Sequence, residues 1–121
     1  MEVKHVIPDE HKEFTTAERC YILELINDVE DRSQSIARAR VEPGITTAWH
    51  SLHGTSECYY ILSGEGVVEI GETDKYEMKP HHLLRIPPHI PQRITNVGKD
   101  DLIFLCFCTP AFSAEIYEDL E

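Results

Sequence analysis

Two imidazoles and one carboxylate, His50, His53 and Glu57, fall within eight residues of one another. Those residue types could supply three ligands to a divalent metal and leave coordination positions open for a reactant. The spacing qualifies that reading. A strand sends alternate side chains to opposite faces, so regular alternation would separate His50 from His53. They converge only if the chain bends near Ser51–Gly54, and Gly54 suits such a bend. His53 and Glu57 have matching parity, although a turn between them resets the count. On the residues alone two readings stand. One is a metal site, and the other is a surface hairpin carrying solvated histidines.

The elements that must position these groups are short. Segments of β type are expected at Cys20–Ile26, Ser35–Val41, Thr46–His50, Glu57–Leu62, Gly66–Ile70, Leu83–Ile86, Gln92–Asn96 and Leu102–Cys108. Turn residues, among them Pro43-Gly44, Ser63-Gly64, Gly71 and Pro87-Pro88, separate them. Many short strands with close turn signals indicate an all-β sandwich or barrel. In SIARARV, Ile36, Arg38 and Arg40 share one face, while Ala37, Ala39 and Val41 share the other. Leu102–Cys108 is apolar throughout and reads as a strand buried on both sides. Phe112, Ile116 and Leu120 recur every four residues, so a short C-terminal helix is expected there. No repeat of fixed period is present.

At this point the sequence resembles the cupin superfamily of small β-barrels. Gly44, five residues, His50, then Glu57, six residues and Gly64 follow the first cupin motif, with YYILSGEG as its continuation. Pro87 and Asn96 match the second motif within HHLLRIPPHIPQRITN. Its two glycines are replaced by His81 and His89, and its usual fourth ligand is Gln92. Counting from His50 puts the second ligand position on Leu52, whereas counting back from Glu57 puts it on His53.

The resemblance implies a double-stranded β-helix, or jelly roll. Residues 1–121 would form one domain, with a barrel core at about 35–110, an N-terminal extension and the short C-terminal helix. It also implies an inward site of His50, His53, Glu57 and Gln92 holding a divalent metal such as Mn, Fe, Ni or Zn. Dioxygenase, isomerase and lyase chemistry on a small oxygenated metabolite all occur on such barrels. The alternative is a non-catalytic barrel that binds or senses a small molecule with weak or no metal. The resemblance further implies a homodimer, with Cys20–Ile26 a candidate interface strand.

Other residues carry two readings each. Arg38 and Arg40 either hold a substrate carboxylate or phosphate bidentately or pair with acids outside the barrel. Tyr59 has the parity of Glu57, so it either lines the cavity and touches substrate or packs in the core. His81, His82 and His89 read as solvated loop residues, and Trp49 as a packing residue.

Composition bounds the partners. The chain has 121 residues, 22 acidic and 11 Lys plus Arg, for a formal net charge of −11. That argues against binding nucleic acid or anionic membrane, both of which need Lys and Arg. The acidity is concentrated at the ends. Residues 1–31 carry a net −6 and residues 115–121 carry −4, against −1 for the span between. Cys20, Cys58, Cys106 and Cys108 form no C-x-x-C pair, and free buried thiols in a reducing cytoplasm are expected. No apolar run approaches a membrane span or a signal peptide.

Overall fold

The computed structural model describes all residues from Met1 to Glu121. Eleven strands run β1 (Phe14–Thr15), β2 (Tyr21–Ile26), β3 (Ser35–Val41), β4 (His50–Leu52), β5 (Ser56–Ser63), β6 (Gly66–Ile70), β7 (Asp74–Met78), β8 (Leu83–Ile86), β9 (Gln92–Asn96), β10 (Leu102–Thr109) and β11 (Tyr117–Asp119). They form two antiparallel sheets. One has six strands in the order β1-β2-β3-β10-β5-β8, and the other has five in the order β11-β4-β9-β6-β7. The all-β jelly roll is therefore the architecture. No helix is long and apolar enough to cross a membrane.

Alternation decides which side chains enter the barrel. Along β5, Glu57, Tyr59 and Ile61 are buried while Cys58 and Tyr60 are only half-buried. Strand β10 lies between β3 and β5, pairing Phe104 with Ala39 on one side and with Ile61 on the other. The expectation that this strand is buried on both faces is corrected: Leu102, Phe104 and Cys108 are buried, whereas Ile103, Leu105 and Phe107 on the other face are only half-buried, because the neighbouring strands cover its edges and not that face.

The inward side chains change size along the barrel. At one end Val41, Ile61, Val68, Ile86, Ile94 and Leu102 are each at most 1% exposed and form the core. At the other end the inward positions of β3 and β10 are Ser35, Ala37, Cys106 and Cys108. Small residues there cannot fill the space between the sheets, and a cavity of about 390 Å³ results. The sequence thus builds a packed floor and an open mouth from the same strands.

Gly64, which closes the first motif, and Gly54, within it, have conformational reasons. Gly64 sits at φ +86°, and a Cβ there would lie 2.8 Å from the Asp101 carbonyl oxygen. Gly54 sits at φ +72° and makes the bend after β4. In the second motif the replaced glycines keep the glycine backbone: His81 has φ 74° and His89 has φ 69°. The left-handed geometry is retained without the residue that adopts it freely, at a cost of roughly 1–2 kcal/mol each.

The C-terminal expectation is corrected. Residues Ala114–Ile116 make one 3-10 turn, and Tyr117–Asp119 pair with β4, placing Tyr117 opposite Leu52. The unpaired edge of β4 offers backbone partners that a short isolated helix lacks. Strand β7 is a further element, a mostly exposed edge whose DKYEM sequence shows no alternation.

Candidate functional site

The cavity is walled mainly by apolar side chains, and Glu57 and His50 are buried polar groups in its lining. Glu57 enters from β5 and is 8% exposed. Its Oε1 is buried with no hydrogen-bond partner. Its Oε2 faces the Cys108 thiol at 3.6 Å, a weak interaction. Burial, with the nearby Glu18 carboxyl adding to it, pushes the Glu57 carboxyl up to about 7.

His50 enters from β4, buried and stacked on Tyr117 with ring centroids 5.1 Å apart. Its Nδ1 lies 2.8 Å from the Ala48 carbonyl oxygen, which can only accept. That contact places the proton of neutral His50 on Nδ1 and leaves the lone pair on Nε2. Glu18 Oε1 is 3.5 Å from the same Nδ1 and stands ready to compensate an imidazolium.

Tyr59 and Gln92 close the cluster. Tyr59, on β5, donates its hydroxyl to Gln92 Oε1 on β9 at 2.6 Å, a bond from one sheet to the other. The Gln92 amide lies near enough to Glu57 to favour its ionised form, against the stronger effect of burial. Both partners are buried.

The structure separates the other expected site residues from this cluster. On β4 the inward residues are His50 and Leu52, so His53 emerges on the far side as the chain turns at Gly54. His53 is half-exposed, with Nε2 2.7 Å from Glu118 Oε2 and Nδ1 3.1 Å from His89 Nδ1. The bend allowed by Gly54 comes one residue too late to bring His53 inward. Arg38 and Arg40 point outward because β3 sends Ser35, Ala37, Ala39 and Val41 inward. Arg38 pairs with Glu10 at 2.6 Å, and Arg40 pairs with Glu13 at 2.6 Å and with Asp101 at 3.1 Å. The acids of the N-terminal extension are thus their partners. Trp49 lies under the Arg93 guanidinium, 5.2 Å from ring centroid to carbon.

A divalent metal does not fit the groups that remain. With His53 outside and the Gln92 oxygen bonded to Tyr59, His50 and Glu57 are the two donors left from the expected four. No cluster of three His, Cys, Asp or Glu side chains with metal-holding geometry occurs in the chain. Two donors fall short of the three or four that hold such ions in proteins.

Several lining residues carried no sequence signal. Glu18 reaches the cavity from the loop before β2, and Tyr117 arrives on a strand where a helix was expected. All four cysteines are free thiols. Burial raises the Cys20 thiol to about 11, and Cys106 and Cys108 are raised by the same cause, so none of these three is poised as a thiolate.

Comparison with known proteins gives the wider setting. A family profile described as Cupin domain matches residues 37–108. An uncharacterized protein of Methanocaldococcus jannaschii is 36% identical over 115 residues, which span 93% of this chain and 91% of that one. Among solved structures, the nucleoside dehydratase Pac13 superposes with a TM-score of 0.80 at 16% identity, over 98% of this chain and 92% of its own; related structures give its source as Streptomyces. The capsular polysaccharide assembling protein CapF of Staphylococcus aureus gives 0.76 at 20% identity, over 98% of this chain and 35% of its own. KdgF of a Halomonas species gives 0.75 at 16% identity, over 88% of this chain and 94% of its own. At these identities the likeness to solved structures establishes the shared fold.

Proposed function

We propose, for a chain that belongs to the cupin family, that the barrel takes a small organic molecule into its cavity and acts on it by proton transfer through Glu57 and His50. One observation carries this reading: Glu57 Oε1 is buried without a partner in the same cavity that His50 lines. An orphaned buried polar atom costs free energy, and a bound molecule that supplies a partner removes that cost.

The two groups offer different atoms for proton transfer. Glu57 retains its proton up to about pH 7, so near neutrality it can give one or accept one. Neutral His50, with Nδ1 held by Ala48, presents Nε2 as a base. A carboxyl that can give a proton and an imidazole Nε2 that can take one supply both halves of a proton transfer in one site. Tyr59 lines the cavity with Glu57, and its hydroxyl is held in place by Gln92. The divalent metal that the resemblance implied has no part in this reading, because the donors for it are not gathered.

The test uses protein kept in chelator and a panel of small oxygenated metabolites in deuterated water. The reading expects deuterium exchange or conversion of at least one compound, lost in Glu57→Gln and His50→Asn. Thermal stabilisation by a compound with no exchange in any would instead identify a binding module. A second copy of the chain is the expected macromolecular partner. Leu62 and Leu83 are 40% and 58% exposed on the outer face of the six-stranded sheet, at its β8 edge. Sedimentation at the mass of a monomer across a concentration series would remove the homodimer.

A further inference from the structure

The charges that line the cavity are of one sign. Its lining includes the carboxyl groups of Glu18, Glu24, Glu57, Asp119 and Glu121 and no Lys or Arg. Of the five, Glu121 is paired with a guanidinium, that of Arg19 at 2.9 Å. Glu18 has an imidazole for a neighbour, and Glu24, Glu57 and Asp119 have no ion-pair partner. Four of these carboxyls come from the two acidic ends of the chain, residues 1–31 and 115–121. The fold brings those ends to the mouth of one cavity.

We infer that the molecule this cavity selects carries a positive charge: an ammonium group on an apolar or aromatic body. The inference rests on the proposed role of the cavity and names its substrate class. Three features support it. An anion would meet several carboxylates at close range with no basic residue to offset them. The exposed Glu24 and Asp119 give the rim a negative field that concentrates cations before they dock. Inside, the rings of Phe14, Phe104, Phe112 and Tyr117 offer faces for an alkylammonium and an apolar wall for its body. Glu57, 8% exposed and with Oε1 unpartnered, is the most buried of the carboxyls and supplies the acceptor that an N–H donor would satisfy. An acidic cluster alone binds nothing in particular. Here it surrounds a real cavity with an unsatisfied acceptor inside.

The choice reverses the polarity expected from the sequence. Arg38 and Arg40 would have favoured an anionic ligand had they faced inward. They are turned outward and neutralised by Glu10, Glu13 and Asp101.

Matched triads test the inference. 3-Phenylpropylamine, 3-phenylpropanol and 3-phenylpropanoate, with a parallel hexyl series, share bodies and differ in charge. Affinities are measured by calorimetry and by thermal shift on the full chain at pH 8. The amines are expected to bind about tenfold more tightly than the alcohols, and the carboxylates not at all. In Glu24→Gln and Asp119→Asn the amine-to-alcohol ratio should fall toward one. Salt provides a second reading that needs no variant: amine affinity should drop between low and high sodium chloride while alcohol affinity holds. Equal binding of amine and alcohol, or preference for the carboxylate, overturns the cationic assignment. If the alcohols bind and Tyr59→Phe or Glu57→Gln weakens them while the amines gain nothing, the cavity reading survives and this inference does not. If no member of either series binds, both fall.

Discussion

Tyr59, which lines the cavity, joins the two sheets by donating a 2.6 Å hydrogen bond to Gln92. The bond occupies the oxygen that a metal would otherwise have used, and it orients the Gln92 side chain toward Glu57. Both residues are buried, so neither can exchange the bond for water. Tyr59→Phe should cost about 1–2 kcal/mol in stability, because it leaves the Gln92 oxygen unpaired. Gln92→Leu should cost a similar amount through the orphaned Tyr59 hydroxyl. Together they should cost less than the sum, a coupling that urea melts of the two singles and the double would measure. Additive costs would show that the pair does not act as a unit.

The cavity exists because β3 and β10 place small residues at its end of the barrel. Ala37→Leu should fill part of that space. A cavity-filling change of this kind should leave stability equal or raise it by about 1 kcal/mol while blocking small-molecule binding. Ligand-induced shifts in melting temperature, compared between wild type and variant, read both effects. Unaltered binding in a well-folded Ala37→Leu protein would place the site elsewhere.

His81 adopts a backbone that glycine adopts without strain, φ 74°. His81→Gly should therefore stabilise by about 0.5–1 kcal/mol, the relief of the left-handed strain exceeding the added chain entropy. The lost contact of its ring with the Tyr60 hydroxyl, 3.2 Å and exposed, offsets little of that gain. Gly64→Ala should act in the opposite direction and cost about 2 kcal/mol or more, since its Cβ would strike the Asp101 carbonyl. Chemical denaturation of the two variants checks the contrast.

Glu57 should make the protein less stable as pH rises. The unfolded chain loses the Glu57 proton near its ordinary value of 4.5, whereas the native state holds it to about 7. Between those values the native state binds more protons, so unfolding becomes easier with increasing pH. The full penalty, about 3 kcal/mol, is present above pH 7 and absent below about 4.5. Glu57→Gln lacks it, so the variant should be the more stable protein at pH 8, with the difference vanishing at pH 4. Denaturation at the two pH values measures this directly. A wild type that is the more stable at pH 8 would show Glu57 to be ionised and well solvated.

Much of the fold could be read from periodicity. The alternation in SIARARV and SECYYILS marks inward faces, whereas the continuous run in Leu102–Cys108 hides an alternation that the structure shows, with Ile103, Leu105 and Phe107 only half-buried. Strands β7 and β11 escaped because they are edges, where exposure removes the apolar signal. The helical spacing of Phe112, Ile116 and Leu120 lost to the open edge of β4. At the site, the inward placement of Glu57 and Tyr59 follows from the parity of β5. His53 does not join them, since a turn between β4 and β5 cancels any count made across it. Parity put Arg38 and Arg40 on one face of β3 without saying whether that face is inward, and most of the acids that pair with them lie in an extension that has no periodic signal. Glu18 reached the cavity from a loop, where long-range folding alone sets position.

The central claim is that Glu57 is a protonatable group in a ligand cavity and not a metal ligand. Carbon-13 NMR of the glutamate side-chain carboxyls, followed from pH 3 to 9, tests it most directly. The spectra would be taken first in chelator and then with one equivalent of Zn²⁺. The account predicts that the Glu57 resonance, assigned by its loss in Glu57→Gln, titrates near pH 7 and is unmoved by zinc. A midpoint near the ordinary carboxylate value, or a resonance displaced stoichiometrically by zinc, would contradict it.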